Sequence, residues 1–301
     1  MPSFRAAPVR VRVPASAANL GPGFDALGLA LDLHDDVVVQ ITDGGLTVDV
    51  AGEGEGRLRR DGRNLVVVAL RAAFDAMGGQ PRGLHVVCAN RVPQSRGLGS
   101  SAAAVVAGVH AARQLVLGGL SDERALGVAT AIEGHPDNVA AALLGGLTLA
   151  WRDDDGSPHA VRLPVDPGLR PVVFVPGSTV STAKARSVLP EQVAHPDAAF
   201  TVGRAALLPV ALGGRQELLL AATQDRLHQP ARLGAQPRGA ALVGRLRAAG
   251  HAAVLSGSGP SVLALCPDAA AAAAAAGLAG RGWHARPLAV EVLGAQVVPL
   301  R

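Results

Sequence analysis

The chain has 301 residues, of which 49% are hydrophobic and 17% are charged, so it is long enough for two domains and too apolar to be disordered. Its formal net charge is +4, and it contains no tyrosine, five phenylalanines and two tryptophans. These values exclude a strongly basic, aromatic-rich surface and predict no nucleic-acid partner, whereas a small anionic ligand suits the chain.

The cysteines and the hydropathy pattern bear on where the chain works. Cys88 and Cys266 lie far apart without a second Cys or His at metal spacing, which argues against a disulfide framework and a zinc site. No run reaches the roughly 18 apolar residues of a membrane span, and Pro14 and Pro22 interrupt any signal-peptide segment. We therefore expect a cytoplasmic protein with no membrane partner.

The first half of the chain predicts a mixed α/β fold. Alternating Val and Arg from Val9 to Val13 indicates a half-buried strand that leads into a glycine-rich turn. Asp43-Gly44-Gly45 between two apolar runs predicts a hairpin. Apolar spacing and glycine stops predict the helices. The expected elements are strands over 9–13, 37–41, 46–50 and 84–89, and helices over 64–77, 100–117 and 121–133.

The segment 151–171 separates the two halves, since it carries three consecutive aspartates and four prolines. We predict a domain boundary near residue 165, which gives an N-terminal domain over 1–165 and a C-terminal domain over 166–301. The second half again alternates strands and helices. The expected elements are strands over 172–175, 254–255 and 262–265, and helices over 196–212, 215–227, 240–249 and 269–276.

A glycine loop over 93–103 follows a strand and opens a long helix. Glycines let the backbone approach a ligand closely, and the N–H groups and dipole at a helix start attract phosphate. The loop lacks the Gly-Lys-Ser/Thr ending of a P-loop, so phosphates would rest on the backbone and on serine hydroxyls with help from Arg96. A helix start that is simply capped by Ser100 is the alternative.

A second polar segment, Glu133-Gly134-His135-Pro136-Asp137-Asn138, lies between apolar runs. Two carboxylates and an imidazole in such a place are costly unless they bind something. Glu133 has the hard oxygen donors that suit Mg²⁺. In the alternative interpretation, Asp137 and Asn138 cap the helix that follows.

A third polar segment, Ser256-Gly257-Ser258-Gly259-Pro260-Ser261, lies between two short apolar strands. It fits a tight turn between strands. It equally fits a set of backbone N–H groups directed at a second anion, such as the substrate or the γ-phosphate. The residues of this segment leave both interpretations open.

Together with the segment from Pro14 to Asp25, the two glycine segments resemble the three motifs of the GHMP kinases, in the same order and over nearly the whole chain. The resemblance implies an N-terminal domain like the second domain of ribosomal protein S5, a C-terminal ferredoxin-like domain, and ATP and substrate bound in the cleft between them. The ATP-binding residues that it implies are Asn64, Pro93, Gln94, Ser95, Arg96, Gly97, Leu98, Gly99, Ser100, Ser101, Ala102 and Ala103.

Within this family the chain is most similar to the branch that phosphorylates homoserine, because of the segments 18–28, 133–139 and 181–186. The similarity implies L-homoserine as the small-molecule substrate, O-phospho-L-homoserine as the product and a place in threonine biosynthesis. It assigns Mg²⁺ to Ser100 and Glu133, and it assigns catalysis to Asn138 and Arg186 with these two. The implied substrate-binding residues are Asn19, Asp25, His135, Asn138, Thr182, Arg186, Arg232, Gly257 and Gly259.

The charges of the chain support this substrate independently. A zwitterionic amino acid needs an anion for its ammonium group and a cation for its carboxylate, and Asp25 can supply the first while Arg186 and Arg232 supply the second. Without the resemblance, both arginines are more typical of solvated surface positions.

Asn138 stands where a mevalonate kinase is expected to carry an aspartate base, so we expect no dedicated base at this position. Two alternatives stay open: another GHMP kinase acting on an isoprenoid or sugar precursor, and a catalytically silent nucleotide-binding protein with the same fold. The resemblance also allows a homodimer.

Overall fold

The structure is a computed structural model that describes residues 2–300. Over this range the chain forms a larger and a smaller β-sheet with helices packed against them, which confirms the expected mixed α/β class. The strands are β1 (Val9–Asn19), β2 (Gly23–Thr42), β3 (Gly45–Gly52), β4 (Gly83–Asn90), β5 (Leu147–Arg152), β6 (Pro158–Leu163), β7 (Arg170–Pro176), β8 (Ala252–Leu255), β9 (Val262–Cys266), β10 (Trp283–Pro287) and β11 (Gln296–Val298).

Ten α-helices are found within residues 2–300. They are α1 (Leu65–Ala76), α2 (Ser100–Leu115), α3 (Asp122–Glu133), α4 (Pro136–Leu144), α5 (Thr182–Ser187), α6 (His195–Leu212), α7 (Leu219–Ala222), α8 (Gln229–Gly234), α9 (Pro237–Ala248) and α10 (Ala269–Gly277). In this range no helix combines the length and the apolar character needed to cross a membrane.

The larger sheet has the strand order β11-β1-β2-β4-β3, and β5 pairs with both β2 and β6. The expected hairpin between 37–41 and 46–50 is wrong, because β4 lies between β2 and β3 and pairs in parallel with β3. The glycine turn reverses the chain as predicted, but it does not decide which strand becomes the neighbour. β3 is largely exposed on alternate positions, which suits an edge strand, whereas β4 carries the buried Val86 and Cys88.

One face of the larger sheet is covered by α1 to α4. Valines of β1 and β2, among them Val11 and Val37, pack in one core with Leu70 and Phe74 of α1 and with the alanines of α2. Small residues let α1 and α2 approach closely: a methyl group on Gly108 of α2 would meet the backbone of α1. This packing fixes the position at which α2 begins, and with it the glycine loop.

The smaller sheet has the order β10-β7-β9-β8. A second core joins the two sheets, since Leu29 and Leu31 of β2 pack in one cluster with Val173 of β7 and Leu208 of α6. The end of β1, the starts of α2 and α4, and the short helices α5 and α8 line a common cavity, and we call this region the seam between the sheets.

One expectation for the second half is corrected. The helix expected over 215–227 ends after a 3₁₀ turn and α7, at Ala222. Asp225 accepts the backbone N–H groups of residues 227 to 229, which turns the chain and starts α8. Within the segment 151–171, the three aspartates form the exposed turn between β5 and β6, where the N–H of Asp153 donates to Ser157 O.

The division at residue 165 stays a prediction. It falls between β6 and β7, but β11 returns to the larger sheet and pairs with β1. The two cysteines, Cys88 and Cys266, are free and buried.

Candidate active site

Two adjoining cavities lie on the seam between the sheets, with volumes of about 80 and 280 Å³. They share a wall made by the glycine loop and the segment before α5. The shared lining residues are Ser95, Ser100, Ser101, Val180 and Thr182. The smaller cavity is polar and charged, whereas the larger one has apolar walls that include Leu58 and Val66.

The glycine loop places a helix start directly at the smaller cavity. Gly99 holds the N-cap position of α2 in the left-handed region, with φ of 65°, and as a glycine it offers no side-chain cap. Ser100 is thus the first helical residue, and the interpretation of Ser100 as a simple cap is wrong. The first N–H groups of a helix have no intrahelical acceptor and are free to bind an anion.

The residues predicted from the loop divide into two groups. Those that line one or both cavities are Gln94, Ser95, Arg96, Gly97, Gly99, Ser100 and Ser101. Those that lie outside both cavities are Pro93, Leu98, Ala102 and Ala103, of which the last three are buried in the cores. These four apolar side chains anchor the loop in the protein, and a ligand in either cavity would not contact them directly.

Arg96 is held by backbone carbonyl groups. Its Nε donates to Pro176 O at 2.9 Å, and its Nη1 and Nη2 atoms donate to Gln94 O and Gly177 O. These bonds tie the glycine loop to the end of β7. The side chain lines the smaller cavity, but its main observed contacts are with the protein itself.

Glu133 closes one side of the smaller cavity at the end of α3. Its Oε1 accepts the hydroxyl of Ser101 at 2.5 Å. Burial raises the pKa of the Glu133 carboxyl, and the Ser101 hydroxyl opposes this change. Ser101, the neighbour of the predicted Mg²⁺ ligand Ser100, thus makes the contact with this carboxylate.

The start of α4 presents three polar side chains to the same cavity. His135 is the N-cap and Pro136 follows it, so Asp137 and Asn138 lie in the first turn and neither is the capping residue of the alternative interpretation. Asp137 Oδ1 nevertheless accepts the backbone N–H of Asn138 at 2.7 Å. Asn138 Oδ1 accepts the hydroxyl of Ser16 at 2.9 Å. Burial raises the pKa of Asp137 to about 6 and lowers the pKa of His135.

Asp25 and Arg186 form an ion pair across the cavity, with Nη2 of Arg186 2.7 Å from Oδ1 of Asp25. Asn19 and Asp25 both have left-handed φ values, 69° and 55°, and the Asn19 side chain stabilises this turn because its Oδ1 accepts the N–H of Asp25. Nε of Arg186 is buried and has no acceptor within residues 2–300. A buried donor without a partner indicates a place for a ligand acceptor.

Arg232 is 2% exposed, so its interpretation as a solvated surface residue is wrong. Nη1 donates to Gly257 O at 3.1 Å, and Nε lies 3.4 Å from Ala185 O. Its guanidinium lies near the ring of Phe24, with Cζ 5.2 Å from the ring centroid. Asn19 Nδ2 also donates to Gly257 O, which joins the first and third motifs.

The remaining predicted residues are distributed between the cavities. Thr182 lines both, Asn64 lines the larger cavity and Gly257 the smaller one, whereas Gly259 lies outside both. Asn64 also caps α1, since its Oδ1 accepts the N–H of Val66. A methyl group added at Gly259 would contact the side chain of Gln236, which lines neither cavity.

Sequence reasoning missed several residues of the site. They are Asp35, which lines the larger cavity, and Ser16, Phe24 and His228, which contact residues that line the smaller one. Ser16 and Phe24 lie within the first motif, so the motif pointed to their region of the chain. The hydrogen bond from Ser16 to Asn138 spans 122 positions of sequence, and no local sequence pattern predicts a contact of that range. Asp137 was named within the polar segment between apolar runs but was not among the implied site residues, and it lines the smaller cavity.

Comparisons with known proteins agree with the motifs. The GHMP kinases N terminal domain family matches residues 64–146, and the GHMP kinases C terminal family matches residues 210–282. The homoserine kinase of Streptomyces avermitilis is 59% identical over 99% of this chain and 98% of that protein. The homoserine kinase of Streptomyces coelicolor is 58% identical over 99% of this chain and 97% of that protein.

A crystal structure of homoserine kinase from Cytophaga hutchinsonii superimposes with a TM-score of 0.88 at 30% identity, covering 99% of each chain. The chain therefore has the two-domain GHMP kinase fold with mixed α/β content. Because both domain families match and the identity extends over nearly the full length, the chain belongs to the homoserine kinases of the GHMP kinase family.

Proposed function

We propose that the chain transfers the γ-phosphoryl group of ATP to the hydroxyl of L-homoserine, which yields ADP and O-phospho-L-homoserine for threonine biosynthesis. One observation carries the proposal: a carboxylate, Asp25, and two guanidinium groups, Arg186 and Arg232, line the cavity into which the glycine loop and the start of α2 point. A zwitterion beside a phosphate site needs this set of charges.

A panel of ATP-dependent assays tests the substrate. Homoserine, mevalonate and simple sugars are compared at equal concentrations, and phosphorylated product is identified for each. We expect turnover with homoserine at least about 100-fold above the others, because a substrate without a carboxylate leaves the two arginines unpaired. Preference for mevalonate or a sugar would favour the other GHMP kinases, and no turnover with any compound would favour the silent nucleotide-binding protein.

The larger cavity suits the nucleoside of ATP. Its apolar walls can hold a base, and Asn64 offers its amide at the same place. The triphosphate would then extend across the shared wall, along Ser95, Ser100 and Ser101, toward the start of α2. The γ-phosphoryl group reaches the smaller cavity, where the polar residues of α4 lie.

The ion pair between Asp25 and Arg186 suits an exchange of partners. In the free chain the two side chains neutralise each other at 2.7 Å. Homoserine entering the cavity would present its ammonium group to Asp25 and its carboxylate to Arg186 and Arg232, so each charge keeps an opposite partner. The Nε donor of Arg186, which lacks an acceptor within residues 2–300, would gain one from the substrate.

The residues around Glu133 fit a magnesium ion. Glu133 and the hydroxyls of Ser100 and Ser101 offer hard oxygen donors to one cavity. The buried carboxylate, whose pKa is raised by desolvation, would be stabilised in its charged form by a cation. We propose Ser100 and Glu133 as the residues that hold Mg²⁺, which supplies charge neutralisation to the phosphate oxygens.

Glu133→Gln tests this assignment. We expect kcat/KM to fall about 100-fold and the Mg²⁺ concentration for half-maximal activity to rise, because the amide cannot replace the charge of the carboxylate. Glu123→Gln, an exposed residue of the same helix, is the matched control. Unchanged Mg²⁺ dependence of Glu133→Gln would contradict the assignment.

The site also bears on the route of the hydroxyl proton. Asn138 cannot accept a proton, and its Oδ1 already accepts the Ser16 hydroxyl, so its amide N–H₂ group is free to orient the substrate hydroxyl. We propose that the proton passes to a γ-phosphate oxygen or to water, since a loose transition state needs little deprotonation of the nucleophile. Asp137, whose pKa burial raises to about 6, is the strongest competing base.

Single-turnover phosphoryl transfer at saturating homoserine decides between these routes. We expect Asp137→Asn, His135→Ala and Asn138→Ala to retain the chemical step within about 10³-fold. Asp25→Asn is expected mainly to raise KM for homoserine, because it binds the ammonium group. A loss of about 10⁴-fold or more in one carboxylate or imidazole variant alone, with substrate binding intact, would identify that residue as a base.

Assembly and location stay predictions. The family allows a homodimer, and light scattering of the purified chain measures its mass in solution. The cytoplasmic location is tested by cell fractionation.

A further inference from the structure

His228 lies behind Arg232 and lines neither cavity. The imidazole is completely buried. Its Nε2 lies 2.7 Å from Gly21 O, and its Nδ1 lies 3.3 Å from Nη1 of Arg232. Its ring stacks on Phe24 with 4.8 Å between the centroids. The side chain of His228, the N-cap residue of α8, thus contacts both the turn of the first motif and the guanidinium of Arg232.

The two hydrogen-bond partners determine which ring nitrogen carries the proton. A carbonyl oxygen only accepts, so Nε2 must donate to Gly21 O. A guanidinium only donates, so Nδ1 must offer its lone pair to Arg232. Burial acts in the same direction, because desolvation lowers the pKa of His228 and favours the neutral ring.

Three acceptors contact the guanidinium of Arg232, and His228 Nδ1 is one of them. Its other acceptors are two backbone carbonyl groups, Ala185 O of α5 and Gly257 O of the third motif. His228 adds a side-chain acceptor, and its own Nε2 bond fixes the ring relative to the first motif. The start of α8 is held in turn by Asp225, which accepts the N–H of His228 itself at 3.0 Å.

We propose that His228 is a positioning residue, whose Nδ1 orients the guanidinium of Arg232 toward the substrate carboxylate while its Nε2 anchors the ring to Gly21. The inference rests on the proposed role of Arg232. A residue that acts in this way affects recognition of homoserine and leaves recognition of ATP unchanged.

Two amide variants separate the two ring nitrogens. In His228→Asn the side-chain oxygen takes the place of Nδ1 and can still accept from Arg232. In His228→Gln the amide nitrogen reaches the place of Nε2 and can still donate to Gly21, but the acceptor for Arg232 is lost. We expect KM for homoserine to rise about tenfold in His228→Gln and to stay within about threefold of the unaltered protein in His228→Asn. KM for ATP should not change in either variant.

A double-variant cycle distinguishes positioning from a general effect on stability. Arg232→Ala should raise KM for homoserine, and adding His228→Gln to it should cause no further increase, because His228 acts only through Arg232. His110→Gln is the matched control, since His110 is a buried histidine of α2 that lines neither cavity, and its KM values should match those of the unaltered protein. Thermal unfolding is measured for every variant.

The outcomes are separable. Equal KM values for homoserine in His228→Asn and His228→Gln, or additive effects with Arg232→Ala, would overturn the inference while the kinase assignment stands. If the unaltered protein neither binds nor phosphorylates homoserine, the proposed function fails and the inference fails with it.

Discussion

Arg186→Ala is expected to raise the activation free energy that corresponds to kcat/KM for homoserine by about 2–4 kcal/mol. The effect should come mainly from a higher KM for homoserine, while KM for ATP stays unchanged. The guanidinium pairs with Asp25 at 2.7 Å and has a buried Nε without an acceptor within residues 2–300. Removing the guanidinium takes away a bidentate hydrogen-bond partner for the substrate carboxylate, and it leaves the Asp25 carboxylate without its cation. Steady-state kinetics with each substrate varied in turn measures the effect.

Two further variants sharpen this test. Arg186→Lys keeps the charge but loses the planar fork, so it should recover only part of the lost kcat/KM. Lys184→Ala removes an exposed cation from the same short helix and should leave both KM values unchanged. An unchanged KM for homoserine in Arg186→Ala would show that this side chain serves only the ion pair with Asp25.

Gly99→Val is expected to weaken ATP binding at least about 100-fold. The reason differs from the one that the loop motif suggests by itself, namely a side chain in the space of a phosphate. A Cβ atom on Gly99 would overlap the hydroxyl of Ser16 and approach Oδ1 of Asn138. Because φ is also left-handed, at 65°, valine would force the start of α2 to move and its N–H groups would lose their direction.

Calorimetry with ATP measures the binding, and circular dichroism establishes that the variant is folded. Gly127→Val is the matched control, since Gly127 lies in α3 and a Cβ atom there meets no neighbour within 4 Å. A folded Gly99→Val variant with normal ATP affinity would mean that the start of α2 does not bind the phosphates. Because the overlap would displace the Ser16 hydroxyl, which donates to Asn138, a loss of homoserine affinity is expected in the same variant.

The ligand class and the fold class were predictable from the sequence. The loop over 93–103, Glu133 and the polar segment that follows it are local patterns, and each has a chemical reason that is independent of the partners in space. Helices such as α6 and α10 followed from apolar spacing and glycine stops, and in the structure the side chain of Asp268 caps α10 by accepting the N–H of Ala271. Short-range signals of this kind act over a few residues and therefore survive in the sequence.

Tertiary structure alone decided which groups meet. β4 inserts between β2 and β3 although the turn at Asp43 indicates a hairpin. Burial and side-chain packing against the core, rather than the turn, decide which strands pair. Arg232 is buried against Gly257 and His228, and Arg186 meets Asp25 across 161 positions of sequence. The sequence by itself determined the chemistry that each segment can offer, whereas the burial and pairing of these charges depend on long-range packing that no local pattern records.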